Sequence, residues 1–393
     1  MASTSTFNKL ISPYNRERFF NDVFEKKHLV IKGNHSEKFE NILTEQIIDD
    51  VLSSQRLTIP NTRMTQSDAE LEAKDFVLEN TSVIDVTKVI ENFYNGATLI
   101  LSQLQDRIPS LKKLCDDLVN EFGQRFQTNI YCTPKNGKQG FNIHHDTHDV
   151  FILQIEGSKE WQIYESPINL AIKDQSFKKE THIPGKLIDS FTIKKGDLLY
   201  IPRGLMHAAK TSDEKSIHVT LGFMGYTWQD LLIKQLNIYC QNHEILRKGF
   251  QPEYWEKTED YNENFIEIMS LFKSDDFLKE GLKTLHQNTV NRNSPRIINP
   301  LKTSQIIDDI SLDSKLKLRS SFRYHIDSDS EEMITITTYN KTLEYPKEFL
   351  PILKFIFEKQ EFQTKDLPLL DNESKIEFIQ SLTTTGIIEI LIL

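Results

Sequence analysis

Between residues 128 and 225 short runs rich in β-branched and aromatic residues follow one another, broken by Gly and Pro. The clearest are 129–131, 150–155, 161–164, 198–201 and 217–221. Strands this short and this regular predict a β-sandwich or barrel, and a double-stranded β-helix is the expected form. The flanks have another texture. Helical spacing dominates from about 34 to 125, apart from the apolar run Ala97-Thr98-Leu99-Ile100-Leu101. Residues 12–32 read as a helix opened by Ser12-Pro13, carrying Phe19, Phe20, Val23 and Phe24, and running into a strand at 28–31. The fold class is therefore α+β.

Within the strand-rich stretch lies His144-His145-Asp146, and far downstream comes His207, after Pro202-Arg203-Gly204. A His-x-Asp pair with a distant third histidine is the ligand set of the facial triad that holds non-haem Fe(II). Residues i and i+2 of a strand share a face, so His144 and Asp146 are expected to grip one metal while His145 points away. His207 would join them from another strand, and three ligands on one side leave positions open for a cosubstrate and O2. Either element alone is weak, since His-x-Asp pairs occur solvated on strands and lone histidines pack in cores. Together, leading into and out of strands, they point to a metal site. His145 and His148 read as flanking residues rather than ligands.

A 2-oxoglutarate enzyme also needs a cation for the cosubstrate's far carboxylate. Lys159, on the run that follows the first ligand pair, can supply it. The bland alternative is a solvated lysine beside a turn.

The length of 393 residues predicts two or three domains. The formal net charge of −10 argues against a general nucleic-acid binder and suits a basic substrate. Cys115, Cys132 and Cys240 are scattered, with no Cys-x-x-Cys pair, which fits a reducing compartment. No window approaches the roughly 18 consecutive apolar residues of a membrane span, and the start lacks a signal-like apolar core. The protein is expected in the cytoplasm.

Beyond 225 the pattern becomes helical, with Thr227 and Asp230 placed as a capping box. From about 311 come a strand at 333–338, helices at 347–358 and 373–382, and a closing strand at 387–391, a layout that fits a winged-helix-like module. Residues 344–393 hold five Lys, no Arg and nine Asp or Glu, so this module is expected to bind protein or serve structure, not to touch nucleic acid.

The stretch Phe141-Asn-Ile-His144-His-Asp146-Thr-His-Asp-Val150-Phe-Ile-Leu-Gln154-Ile-Glu-Gly157-Ser-Lys159-Glu-Trp161, with Gly196-Asp-Leu-Leu-Tyr-Ile-Pro-Arg-Gly-Leu-Met-His207, resembles the JmjC-type (cupin-like) ribosomal oxygenases. The opening 19–33 resembles that family's N-terminus. The resemblance implies a JmjC/cupin jelly-roll catalytic domain at 1–225, a helical dimerisation segment at 226–310 and a winged-helix-like domain at 311–393. It implies Fe(II) on His144, Asp146 and His207, 2-oxoglutarate on Lys159 with Asn129 near it, and Tyr131 lining the substrate cleft. Tyr131 reads equally well as a core aromatic. Where the family usually has Ser or Thr after its His-x-Thr strand, this chain has Gly222, so that hydroxyl contact is lost or comes from Thr220. An extra residue in the 135–139 loop is expected to reshape the substrate entrance.

The expected activity is Fe(II)- and 2-oxoglutarate-dependent hydroxylation of a histidine or arginine of a ribosomal protein, by a homodimer. The rivals are the same chemistry on a precursor peptide or on methyl-lysine, and a non-catalytic cupin-like binding protein.

Overall fold

The computed structural model describes every residue except 1–4, 34, 67–68, 136–140, 257, 293–296, 298, 321, 329, 340 and 393. Residues 136–139 of the loop expected to carry an extra residue thus lie outside the described residues. The chain divides into two compact units, Met1–Gly225 and Tyr226–Leu393.

The first unit begins with α1 (Thr6–Ile11), α2 (Arg16–Asp22) and β1 (Leu29–Ile31). Ser12-Pro13 opens no helix. Ser12 ends α1, and Asn15 starts α2 by accepting a hydrogen bond from the Arg18 amide, which satisfies an otherwise orphan first-turn donor. Next come α3 (Glu45–Ser54), β2 (Thr62–Gln66), β3 (Ala69–Glu70), α4 (Val86–Tyr94), β4 (Thr98–Ser102) and α5 (Pro109–Phe122). Strand β2 falls where helix was expected. Its polar Thr-Arg-Met-Thr-Gln carries no strand signal of its own, and the ladder to β4 holds it.

The roll is built from β5 (Arg125–Thr133), β6 (Phe141–His144), β7 (Asp149–Tyr164), β8 (Leu187–Lys194), β9 (Leu198–Ile201) and β10 (Met206–Met224). The sheet runs β1-β9-β7-β10-β5-β4-β2-β3, with β6 on β10 and β8 on β7. Two long strands serve both halves of the roll. The first part of β7 pairs β9 and its last part pairs β8, while β10 pairs β6 early and β5 late. The change happens at Gly157, where φ is +63° and a Cβ would lie 1.7 Å from the Lys215 carbonyl oxygen. Only glycine fits there.

Alternation along β7 separates two cores. Phe151 and Leu153 pack with Tyr200, Val219 and Leu221 under helix residues such as Phe7, Phe19 and Leu118. Val150 and Ile152 face the other way, with Trp161, Ile163, Leu199 and Ile201. A continuous apolar run is what a strand buried on both faces requires.

The second unit holds α6 (Trp228–Asn242), α7 (Asn262–Leu271), α8 (Asp275–Arg292) and α9 (Pro300–Ile306). Thr227 and Asp230 form the expected capping box, and Leu231 packs with Phe277 and Leu285 of α8. There follow β11 (Lys315–Leu318), β12 (His325–Asp327), β13 (Met333–Thr338), β14 (Lys341–Pro346), α10 (Leu350–Lys359), β15 (Glu361–Gln363), α11 (Asn372–Thr384) and β16 (Ile388–Ile392). They make two three-stranded sheets, β15-β11-β16 and β12-β13-β14, around Ile334, Ile336, Ile352, Ile356 and Leu382. Among the described residues no helix is long and apolar enough to cross a membrane.

Candidate metal centre

His144 ends β6 and His207 is the second residue of β10, and the two are direct partners in the antiparallel ladder. Such partners hold their Cβ atoms about 4.5–5.5 Å apart, and the ring centroids stand 4.6 Å apart. Asp146 is not on a strand with His144, as the i, i+2 argument expected. It lies in the turn toward β7, where its carbonyl accepts a hydrogen bond from the Gly204 amide at 2.8 Å. That bond ties the turn to the segment just before His207 and brings the carboxylate round to the two rings. Asp146 Oδ2 is 3.7 Å from His207 Nε2, and one ligand atom from each of the three residues lies within 4.8 Å of the others.

The rings are aimed by their backbone partners. His144 Nδ1 is 2.8 Å from the Asn142 carbonyl and His207 Nδ1 is 2.9 Å from the Leu205 carbonyl. A carbonyl can only accept, so both Nδ1 atoms carry the proton, and Nε2 is then the lone-pair nitrogen of each ring that a metal could use. Burial lowers the His207 pKa to about 4, which keeps it the neutral imidazole that a metal needs. Burial alone would raise the Asp146 carboxyl, but the surrounding imidazoles, His144 first, hold it below its ordinary value. Among the described residues this is the cluster of His, Cys, Asp and Glu able to hold an ion. Two imidazoles oriented through Nδ1, one of them kept neutral by burial, with a carboxylate held below its ordinary value, are a donor set that suits Fe(II).

His145 points away, buried, with Nε2 at 2.9 Å from the Gln175 carbonyl and its ring against Phe177 and His182. Arg203 braces its turn by donating to Glu25 at 2.5 Å and to the Leu170 carbonyl at 2.9 Å.

The triad opens into a pocket of about 630 Å³, measured out to its mouth. All seven residues singled out from the sequence line it: His144, Asp146, His207, Lys159, Asn129, Thr220 and Tyr131. Register explains the last three. Asn129 pairs with Thr220, and Tyr131 with His218, across β5 and β10. Lys159 is only 4% exposed, and its ammonium donates to the Thr133 hydroxyl at 3.3 Å. Among the described residues no carboxylate pairs with it, and burial lowers its pKa to about 8. A buried cation without a carboxylate is costly unless an anion joins it.

The sequence reading did not assign Thr98, Trp161 or His218 to the lining, and it took His148 for a flanking residue, yet all four line the pocket. His218 could have been found, because it stands two places before Thr220 and so shares its face. Trp161 Nε1 and His218 Nδ1 are buried without a hydrogen-bond partner among the described residues, as polar atoms awaiting a ligand would be.

The family model for the JmjC domain matches residues 101–231. The chain is 27% identical to a Dictyostelium discoideum protein named bifunctional lysine-specific demethylase and histidyl-hydroxylase NO66, across 96% of this chain and 81% of that one. It is 26% identical to Ribosomal oxygenase 2 of Mus musculus, across 99% of this chain and 92% of that one. Among solved structures it is similar to YcfD, a ribosomal oxygenase from Escherichia coli, in a complex with cobalt and 2-oxoglutarate. The TM-score is 0.53 at 14% identity, covering 96% of this chain and 98% of that one. That likeness is one of fold.

Proposed function

This chain is a JmjC-domain 2-oxoglutarate oxygenase related over nearly its whole length to ribosomal oxygenases, and from that premise we propose that it hydroxylates a histidine or arginine side chain of a ribosomal protein. One observation carries the reading. A metal-ligand triad and a buried cation without a carboxylate open into the same pocket.

Bound Fe(II) and 2-oxoglutarate would supply the oxidising chemistry, with one oxygen of O2 passing to a substrate C–H and 2-oxoglutarate leaving as succinate and CO2. The chain's residues do the rest. His144, Asp146 and His207 would hold the ion at the wall of the pocket they line, beside the space that cosubstrate and target would enter. Lys159 holds the far carboxylate of the cosubstrate, with the Thr133 hydroxyl steering its ammonium. Asn129 and Thr220, cross-strand neighbours, flank the cosubstrate. Tyr131 faces the entering substrate, its phenol pushed up to about 12 mainly by burial, so it stays a neutral hydrogen-bonding group. Together these groups fix one C–H bond close to the metal and exclude bulk water.

Among the described lining residues the one carboxylate is Asp146, which would be spent on the metal. A guanidinium would find no free anion there, so a neutral imidazole enters at lower cost, and histidine is the favoured target. The formal net charge of −10 draws basic ribosomal proteins towards the enzyme. Three free cysteines suit the cytoplasm. The helices after Thr227 serve dimerisation, and the winged-helix-like part after 311 serves protein contacts.

Mass spectrometry of ribosomal proteins and small peptides, from cells with and without the gene and from a His144→Ala strain, tests the proposal. A gain of one oxygen on a ribosomal histidine or arginine, absent from both altered strains, is expected. A gain confined to another peptide keeps the oxygenase and overturns the ribosomal target. Loss of a methyl group from methylated lysine, or no change with no 2-oxoglutarate consumption by the iron-loaded protein, overturns the reading.

A further inference from the structure

His218, Thr220 and residue 222 stand at alternate places on β10 and so share one face. The first two line the pocket, and a side chain at 222 would be the next in the row. The chain has Gly222 there, and His148 takes the space. A Cβ on Gly222 would stand 2.8 Å from the imidazole Cδ2 of His148 and 2.9 Å from its Nε2. Strand β10 cannot yield, because Gly222 is paired on both sides, with Val150 of β7 and Gln127 of β5. His148 itself lines the pocket, half-buried, two places before Val150 at the head of β7. Its ring makes no hydrogen bond to any described residue, so both nitrogens are open to an incoming group.

We propose that His148 is a specificity-determining residue of this pocket, and that Gly222 is the gap that lets its imidazole lie across β10 and hydrogen-bond the peptide's target residue. The assignment rests on the peptide-oxygenase reading above. In place of a side chain rising from β10, the incoming residue meets an imidazole delivered from the metal-binding turn. Any larger residue at 222 displaces that ring and changes which side chains the pocket admits.

The first arm of the test needs no substrate. In protein with nitrogen-labelled histidine, long-range proton–nitrogen spectra identify the His148 ring by its loss in His148→Ala. Gly222→Ala is expected to move that signal while those of His145 and His182 stay. An unmoved signal overturns the proposal whatever the enzyme acts on. The second arm measures binding of synthetic ribosomal-protein peptides to the Mn(II)- and 2-oxoglutarate-loaded protein without O2. His148→Ala and Gly222→Ala are each expected to weaken peptide binding by roughly fivefold or more. The double variant is expected within about twofold of the worse single one, because both changes remove the same contact. His148→Asn, which keeps a hydrogen-bonding group, is expected to recover part of the loss. Losses that multiply in the double variant, or that fall equally on 2-oxoglutarate affinity, overturn the proposal. If the wild type binds no such peptide, the reading above fails and this assignment falls with it. If the wild type binds and His148→Ala binds equally, only the assignment fails.

Discussion

The ring of His218 lies flat against that of Tyr131, with centroids 4.8 Å apart and planes 7° apart. The stack follows from register, since the two residues are partners across β5 and β10. Burial, with the nearby Lys159 charge adding to it, holds His218 well below its ordinary pKa, so the stack is neutral. The positive charge on this wall belongs to Lys159.

That charge makes the first prediction. Burial lowers Lys159 to about 8 from 10.5. Between those values the unfolded chain holds a proton that the native state has released, so native stability rises with pH across the window. We predict that the melting temperature of the ligand-free protein climbs relative to Lys159→Met from about pH 8 to 10.5, and that added 2-oxoglutarate, which favours the ammonium, suppresses the climb. Parallel melting curves throughout would refute it. In the same variant the loss of a buried charge partner, about 2–5 kcal/mol, should raise the 2-oxoglutarate Kd roughly thirtyfold or more.

Loss of a ligand should cost more than loss of a supporting partner. We predict that His144→Ala lowers Mn(II) affinity by more than roughly 100-fold, the upper end of what outer partners contribute. Titration followed by electron spin resonance of free Mn(II) would show it. Binding within tenfold of wild type would move the metal elsewhere.

Gly157 offers a test of the roll itself. An added methyl meets the Lys215 carbonyl at 1.7 Å, on a backbone with φ of +63°. We predict that Gly157→Ala destabilises the protein by about 3 kcal/mol or more, since strain and clash add. Denaturant unfolding measures it, and a change below about 1 kcal/mol would mean that β7 and β10 part easily there.

On α6, Trp228, Leu232 and Leu236 form one stripe at i, i+4 and i+8, and are 72%, 50% and 40% exposed, while Leu231 and Gln235 are buried. We predict that this stripe joins a second copy of the chain, so that Leu232→Glu turns a dimer into a monomer by light scattering. A wild type that already runs as a monomer would end the idea.

The metal ligands could be read from the chain because the chemistry dictates their types, and two short motifs carry them. How Asp146 reaches the rings could not be read, since it depends on the bond from the Gly204 amide to a turn fifty-odd residues earlier. Beyond the ligands and Lys159, membership of the pocket wall was read only where a resemblance named the residue. Trp161 and His218 enter it through the register of β7 with β10, and that register is reset near Gly157 by a local bulge. At the N-terminus, Ser12-Pro13 looked like a helix start, yet the Asn15 side chain is the group that reaches an amide.

Lys159, held among described residues only by the Thr133 hydroxyl, has a consequence for rate. A lone ammonium senses charge and reach and is indifferent to the molecule that carries them. Any short dicarboxylate able to span from it to the metal competes for the same place. Turnover then follows the ratio of 2-oxoglutarate to its competitors rather than its concentration alone, which ties modification of the target to the cell's balance of organic acids.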